Sequence, residues 1–345
     1  MKKSILMLGL AVAAMTSCTN DEVVEVNQST QKAIGFETFV NKGTRADIDN
    51  NNPLNEFYVY GFYTGDPDVS VFENIAVLHE QNTETSEWEW NVKEQKKWDT
   101  QYYYFAAYAD GQGTGTEEEN DADKLSNGSF TYNTTNSTAD LIFTDYVVSS
   151  DLETQKDFIA TVTHRDTRES FNTTDVDLTF GHMLSKVTFK FENTSPENLD
   201  MTVTDVKLTV KNKATCTYSY NASTPASNVA WSGHVNSDNF TSYVLNGVTE
   251  QTRGTISDIV GTSYVIPHQS DAVISFKVSY YDKSDTQVGV TETKELSLYP
   301  NQLTWQPANI YNYTIQLPAS PQYIDFNVKK INGWTSQDIT ISGSN

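Results

Sequence analysis

Val187-Thr188-Phe189-Lys190-Phe191 sets three large apolar side chains against two polar ones at a spacing of two residues. A strand has that period because successive side chains leave opposite faces, whereas a helix would scatter the same five around its circumference. Val187, Phe189 and Phe191 are expected to face a core, with Thr188 and Lys190 in water. The grammar repeats further along the chain. Val206, Leu208 and Val210 alternate with Lys207 and Thr209, and Ile274, Phe276, Val278 and Tyr280 with Ser275, Lys277 and Ser279. Tyr311, Tyr313, Ile315 and Leu317 do the same against Asn312, Thr314 and Gln316. One dry and one wet face per strand points to antiparallel sheets.

Towards the N terminus, Phe57 to Tyr63, Tyr102 to Ala109, Leu141 to Val148 and Phe158 to Thr163 read as further strands separated by Gly, Asn and Asp clusters. No long helical pattern interrupts them. With 19 Tyr, 16 Phe and 6 Trp among 345 residues, the composition also favours strands. The expected fold is all-β, two antiparallel sandwiches in tandem, each long enough to bury its own core. The passage between them is placed in Thr167 to Asp177, giving domains at 46–172 and 173–345. After Pro318-Ala319-Ser320-Pro321, two short strand-like pieces carry Ile324, Phe326 and Val328, then Ile339 and Ile341, as an appendage to the second sandwich. An appended strand must pair with something.

The first residues follow a different logic. Lys2 and Lys3 precede an apolar run from Ile5 to Met15, and small or weakly polar residues lead into Cys18, so 1–17 reads as a secretory signal and Cys18 as a lipidation site. Eleven apolar residues would rise about 16 Å as a helix, roughly half a hydrocarbon core, which disfavours a permanent span. An ordinary cleaved signal with an incidental Cys18 is the alternative. The only other cysteine, Cys216, sits in an alternating stretch and reads as a small buried thiol, so no disulfide framework is expected. Polar and acidic residues from Thr19 to Thr30 form a tether, and Ile34, Phe36 and Val40 then fall on one face of a strand. That strand stops at Lys42-Gly43-Thr44-Arg45-Ala46, a basic site suited to a trypsin-like protease.

The formal charge is −22, and loss of Lys2 and Lys3 with the signal takes it to −24. Such acidity argues against nucleic acid or an anionic lipid surface as partner, leaving the membrane to the lipid anchor alone. Nothing points to catalysis. Gly111-Gln112-Gly113-Thr114-Gly115 lacks a following Lys-Ser/Thr and runs into Glu117, Glu118 and Glu119, which repel phosphate. Asp47, Asp49 and Asn51 open like a calcium loop, but Asn52 replaces the turn glycine and Tyr58 the closing glutamate. The five histidines are dispersed, and there is no Gly-x-Ser-x-Gly elbow, so no enzyme, cofactor or metal site is expected. Trp88-x-Trp90 and Tyr102-Tyr103-Tyr104-Phe105 have the flat faces that stack on sugars, although consecutive strand aromatics more simply fill alternate core layers.

The ordered set Cys18, Thr44-Arg45-Ala46, Phe57-Tyr58-Val59-Tyr60-Gly61-Phe62, Trp98 before Tyr102-Tyr103-Tyr104-Phe105-Ala106-Ala107-Tyr108, and Phe180-Gly181-His182-Met183-Leu184-Ser185-Lys186-Val187 resembles the fimbrillin family of type V pili. Tyr264-Val265-Ile266-Pro267-His268-Gln269, the Trp305 to Ile315 stretch and the Trp334 segment extend the resemblance to the end. It implies two transthyretin-like sandwiches and an outer-membrane lipoprotein precursor acylated at Cys18. It implies that 18–45 is a propeptide, cut between Arg45 and Ala46, whose strand carrying Ile34, Phe36 and Val40 is removable. It further implies donor-strand exchange, in which a strand from another copy or a related pilin subunit refills the groove. The tail holding Ile324, Phe326, Val328, Ile339 and Ile341 is then the candidate donor, with closure of its own sheet as its alternative role. Adhesion to a host or bacterial ligand is the implied use. Two rivals remain: a monomeric surface glycan-binding lipoprotein using Trp88, Trp90 or Tyr103, and an extracellular hydrolase, which requires clustered carboxylates or a His-carboxylate pair in a cleft.

Overall fold

The aromatic run beginning at Tyr102 becomes the centre of the largest sheet. A computed structural model describes residues 32–40, 53–64, 69–113, 123–133, 136–168, 175–195, 199–224, 226–234, 240–282, 285–298, 304–318, 325–328 and 340–341. In it β5 (Tyr102–Asp110) lies between β2 (Glu56–Thr64) and β8 (Phe158–Asp166). Outward from these run β3 (Val69–Gln81) and β4 (Trp88–Val92) on one side, β9 (Val176–His182) and β1 (Phe36–Val40) on the other. The order is β1-β9-β8-β5-β2-β3-β4. Alternation sorts the sheet's aromatics onto two faces: Tyr58, Tyr60, Tyr104 and Tyr108 enter one core, while Phe57, Tyr103 and Phe105 enter another.

The first of these cores is closed by a four-stranded sheet, β13-β12-β7-β6, made of β6 (Gly128–Asn133), β7 (Thr138–Val147), β12 (Lys213–Asn221) and β13 (Ala226–Ser232). Leu141, Phe143, Tyr146, Cys216 and Trp231 fill it from that side. A bulge in β7 sets Phe143 opposite Cys216 and Tyr146 opposite Ala214, with Asp145 at φ 58°, so two rings three residues apart share one face. That bulge is why the alternation from Leu141 to Val148 breaks in the middle.

A second lobe contains the stretch that opened the sequence reading. β10 (Ser185–Asn193) lies between β16 (Gly261–Val265) and β19 (Ile310–Leu317), with β20 (Asp325–Val328) and β21 (Thr340–Ile341) beyond β19. The facing sheet is β14 (Phe240–Val244), β11 (Asp200–Lys211), β17 (Val273–Asp282) and β18 (Asp285–Ser297), with β15 (Val248–Gln251) also on β11. Val187, Phe189, Phe191, Val206, Leu208, Val210, Ile274, Phe276, Val278, Tyr280, Tyr311, Tyr313, Ile315 and Leu317 are all buried in one core, as their spacing predicts. Thr188 departs from expectation. It is buried on an interior strand, and its hydroxyl donates to Asn312 Oδ1 of the neighbouring β19 at 2.6 Å.

The all-β sandwich-like fold is therefore present, with two differences of pairing. β1 with β9 and β10 with β19 run parallel, since alternation fixes which face a residue takes and not the direction of its neighbour. The pairing also does not follow a cut at 172/173. β9 and the β12–β13 hairpin, both after that point, join sheets of the first lobe, and the chain crosses between cores at Met183 and Leu184. There Met183 N donates to Phe158 O at 2.8 Å and Trp231 Nε1 to Met183 O at 2.9 Å. Gln155 reaches across, its Oε1 accepting from Tyr264 N at 2.9 Å. Among the described residues no helix is long and apolar enough to cross a membrane.

One partly buried acid has its titration displaced by this architecture. Asp110, at the end of β5, accepts from the Tyr146 hydroxyl at 2.8 Å, and desolvation pushes its carboxyl from 3.8 up to about 6. A carboxyl raised on folding stabilises the protein below its unfolded value, and that contribution is lost as the pH rises through about 6. Asp110→Asn keeps an acceptor for Tyr146 and removes the charge. Between pH 4 and 7 the wild type should lose about 2 kcal/mol of unfolding free energy relative to the variant, measured by urea titration.

Candidate functional site

Ile34 and Phe36 are separated by one residue, so an extended backbone points both side chains the same way. In the structure both are almost fully buried, at 2% and 3% exposure, while Lys32 and Glu37 remain in solvent. The segment is held on two sides. Its N-terminal part lies against the stretch after β4, where Ile34 N donates to Lys96 O at 2.8 Å and Trp98 N to Lys32 O at 3.2 Å. Its C-terminal part runs along β9, in register from Phe36 opposite Val176 to Val40 opposite Phe180. Val40 is thus placed by its backbone, and its side chain lies outside the described residues.

The trough under this strand is aromatic. The Phe36 ring meets Phe57, Phe72 and Phe105 edge-on at centroid distances of 6.0, 5.8 and 5.7 Å, the arrangement favoured by the ring quadrupole. Phe57 in turn touches Trp90 at 5.0 Å and Phe180 at 5.6 Å. Gly61 leaves the room these rings use: a Cβ there would sit 3.0 Å from both Phe72 and Phe105. Trp98 and Tyr103 floor the same core. The sequence does not place Phe180 here, because β9 reaches the trough only through a pairing that spans the lobe, and Phe72 of β3 carries no motif.

Between β1 and β4, the two ends of the sheet, a cleft of about 350 Å³ remains, bounded by Ile34, Phe36, Trp88 and Trp90. Charges around the segment lie at its rim. Lys32 Nζ is 3.2 Å from Asp175 Oδ1, and Arg165 Nη2 donates to Asp175 O at 2.9 Å. Pairs this exposed contribute little. The burial of Ile34 and Phe36 dominates, at about 1.5–3 kcal/mol for each side chain.

Other expected positions fall as follows. Cys18, Arg45, Ala46, Ile324 and Ile339 lie outside the described residues. The tail places Phe326 and Val328 in β20, which runs antiparallel to β19 from Asp325 opposite Gln316 to Val328 opposite Tyr313. Ile341 pairs with Phe326 in β21. In this arrangement the tail extends a sheet of its own chain. Of the aromatics weighed for sugar stacking, Tyr103 is buried at 1%, whereas Trp88 is 62% exposed and leans on His79 beside Trp90. Cys216 is buried, and desolvation pushes its thiol well above the ordinary value, away from nucleophilic chemistry. His182 Nδ1 lies 2.9 Å from Asp157 Oδ2, and both side chains are buried next to the crossing at Met183. Among the described residues no group of three or more His, Cys, Asp or Glu is placed to hold a metal ion.

A profile of fimbrillin-like proteins matches residues 44–342. The chain belongs to the fimbrillin-like family. Membership places it among fimbrial, adhesin-type structural subunits of the cell surface. Several solved structures are similar to this fimbrillin-like chain at low identity. A fimbrial assembly protein from Parabacteroides distasonis is 11% identical, covering 90% of this chain and 100% of its own, with a TM-score of 0.43. The fimbrial anchor protein Mfa2 from Porphyromonas gingivalis is 14% identical over 88% of this chain and 98% of its own, with a TM-score of 0.33. A protein described as a cell adhesion candidate from Bacteroides uniformis is 13% identical over 89% and 99%, with a TM-score of 0.45. No curated protein matches the sequence.

Truncating the central ring measures how far the leading segment supports the fold. Phe36→Ala in the full chain should lower unfolding free energy by about 3–5 kcal/mol, as for a fully buried phenylalanine. The Glu37→Ala change beside it, on an exposed side chain, should stay within about 0.5 kcal/mol. Urea unfolding followed by tryptophan fluorescence distinguishes the two.

Proposed function

We propose that this fimbrillin-like chain is exported as a lipoprotein acylated at Cys18 and activated by cleavage between Arg45 and Ala46. It then polymerises by exchanging its leading strand for a strand of a neighbouring subunit. The observation that carries this reading is the burial of Ile34 and Phe36 in a trough of phenyl rings. A segment whose contacts with the lobe are all non-covalent can leave once the backbone between it and the lobe is cut, and Arg45 lies between it and β2. Departure would uncover the rings around Phe36, the outer edge of β9 and the backbone of 96–98. An apolar trough flanked by unpaired N–H and C=O groups is a template for another strand.

The incoming strand needs apolar side chains two residues apart, since that spacing filled the trough before. Phe326 and Val328, with Ile324, supply it, as do Ile339 and Ile341. Their present pairing is short: four residues of β20 on β19 and two of β21 on β20. At roughly 0.5–1.5 kcal/mol per net hydrogen bond, ladders of that length detach at small cost. Keeping the leader in place until cleavage holds the subunit monomeric during export. The acidic tether after Cys18 suits a surface lipoprotein whose body stays in water.

Arg45→Ala should leave acylated monomer at the cell surface and no filaments carrying this subunit. Filaments from the wild type should give Ala46 as the first residue on N-terminal sequencing. Normal filaments from the Arg45→Ala strain, or a mature N terminus upstream of Ile34, would overturn the mechanism.

A further inference from the structure

The leading segment carries a charge and a gap as well as its two apolar side chains. Lys32, Ile34 and Phe36 follow one another at a spacing of two, with Lys32 Nζ 3.2 Å from Asp175 Oδ1 and the other two buried. Between Ile34 and Phe36 stands Gly35, pressed against the same carboxylate: a Cβ there would lie 2.5 Å from Asp175 Oδ1. Glu37, next along, stays in solvent. A strand that takes this place therefore meets Asp175 at two positions, where a cation suits the first and an acid is repelled at the second.

The tail stretch Gln322-Tyr323-Ile324-Asp325-Phe326-Asn327-Val328-Lys329-Lys330 can be laid on this pattern in two directions. Laid the same way as the leader, Ile324 and Phe326 replace Ile34 and Phe36, but Asp325 falls at Gly35, carboxylate against carboxylate, and Gln322 falls at Lys32. Laid the opposite way, the match is closer. Lys330 falls at Lys32, Val328 at Ile34, Phe326 at Phe36 and Asp325 at Glu37. Asn327 then falls at Gly35, where its amide N–H groups can donate to Asp175 once that carboxylate turns aside. A cation, a branched aliphatic, a phenylalanine and an acid recur in reversed order. The later tail piece, Ile339-Thr340-Ile341, brings no phenyl ring to the place of Phe36 and sets Gln337 or Gly343 at Lys32.

We propose that the incoming strand is 322–330 of a second copy of this chain, entering antiparallel to β9 with Phe326 in the place of Phe36, and that Asp175 fixes this direction and register through Lys330. The inference rests on the strand exchange proposed above. Reversal has an energetic basis: the leader runs parallel to β9 over five residues, and an antiparallel ladder is slightly more stable per residue. The antiparallel bridge of Ala33 with Lys97 is lost, but it is a single residue pair. An exposed ion pair adds little affinity. Its role is to reject wrong registers, since a slip of two residues keeps the apolar face but moves Lys330 away from Asp175. Residues 322–345 hold two lysines and two aspartates, so the donor segment is neutral and approaches a chain of charge −22 without long-range repulsion.

Paired cysteines in the full chain, read in filaments taken from the cell surface, test the direction. Asp177 lies opposite Glu37, and its side chain is 62% exposed, so the reversed strand sets Asp325 beside it and the forward strand Asn327. Asp177→Cys with Asp325→Cys should give disulfide-linked multimers in boiled, non-reducing gels. Asp177→Cys with Asn327→Cys should give at least about tenfold fewer, because a diagonal neighbour about 7–8 Å away lies beyond disulfide reach. Multimers chiefly from the Asn327→Cys pair would overturn the direction while leaving strand exchange standing. Multimers from neither pair would overturn strand exchange, and this inference with it. The register residue has its own test: Asp175→Lys and Lys330→Glu should each lower incorporation into filaments at least about threefold, and the two together should restore it to within about twofold of the wild type. Unchanged incorporation in either single variant, or no recovery in the double, would overturn the role of Asp175.

Discussion

The first lobe depends on burying both faces of one sheet. β2 and β5 send tyrosines to one side and phenylalanines to the other, and Phe57, Val59, Tyr103, Phe105 and Ala107 are as inaccessible as Tyr58, Tyr104 and Tyr108. An antiparallel sheet usually leaves one face to water, so this one requires two covers. The four-stranded sheet supplies the first in a single piece. The second is assembled from the end of β3, β4, β9 and a segment of fewer than ten residues, Lys32 to Val40, that contributes Ile34 and Phe36. Removing any long strand would dismantle the lobe; removing this short one leaves the sheet intact and uncovers a furrow.

The geometry of the pairing sharpens that asymmetry. β1 is parallel to β9, and parallel ladders are slightly less stable per residue than antiparallel ones. On the other side the residues just before β1 pair with 96–98, and a cleft lies between the segment and β4. The side chains therefore hold the segment more than its backbone does.

Much of this was legible in the residues. Period-two alternation located the strands around Val187, Val206, Ile274 and Tyr311 and the faces they bury, because that pattern depends on local geometry alone. It also set Ile34 and Phe36 on one face. What sequence could not supply were pairings that depend on distance in the chain. Nothing in Val176 to Phe180 announces that this strand returns to the first sheet, or in Lys213 to Ser232 that a hairpin crosses back to cover Tyr146 and Phe158. The bulge at Asp145 interrupts alternation where two aromatics must share a face, and Thr188 is buried because a neighbouring asparagine satisfies its hydroxyl.

The aromatic run at the start of β5 explains how one strand serves two surfaces. In Tyr102-Tyr103-Tyr104-Phe105, successive rings leave opposite faces of β5. Tyr103 and Phe105 enter the trough beneath the leading strand, while Tyr104 enters the core closed by the four-stranded sheet and Tyr102 packs against it. The two faces share a backbone but no side chains, so what occupies one has little steric purchase on the other. A sheet buried on both sides thus keeps the rings beneath the leading strand apart from those of the facing core. It does so with four consecutive aromatics whose only distinguishing feature is parity along the strand.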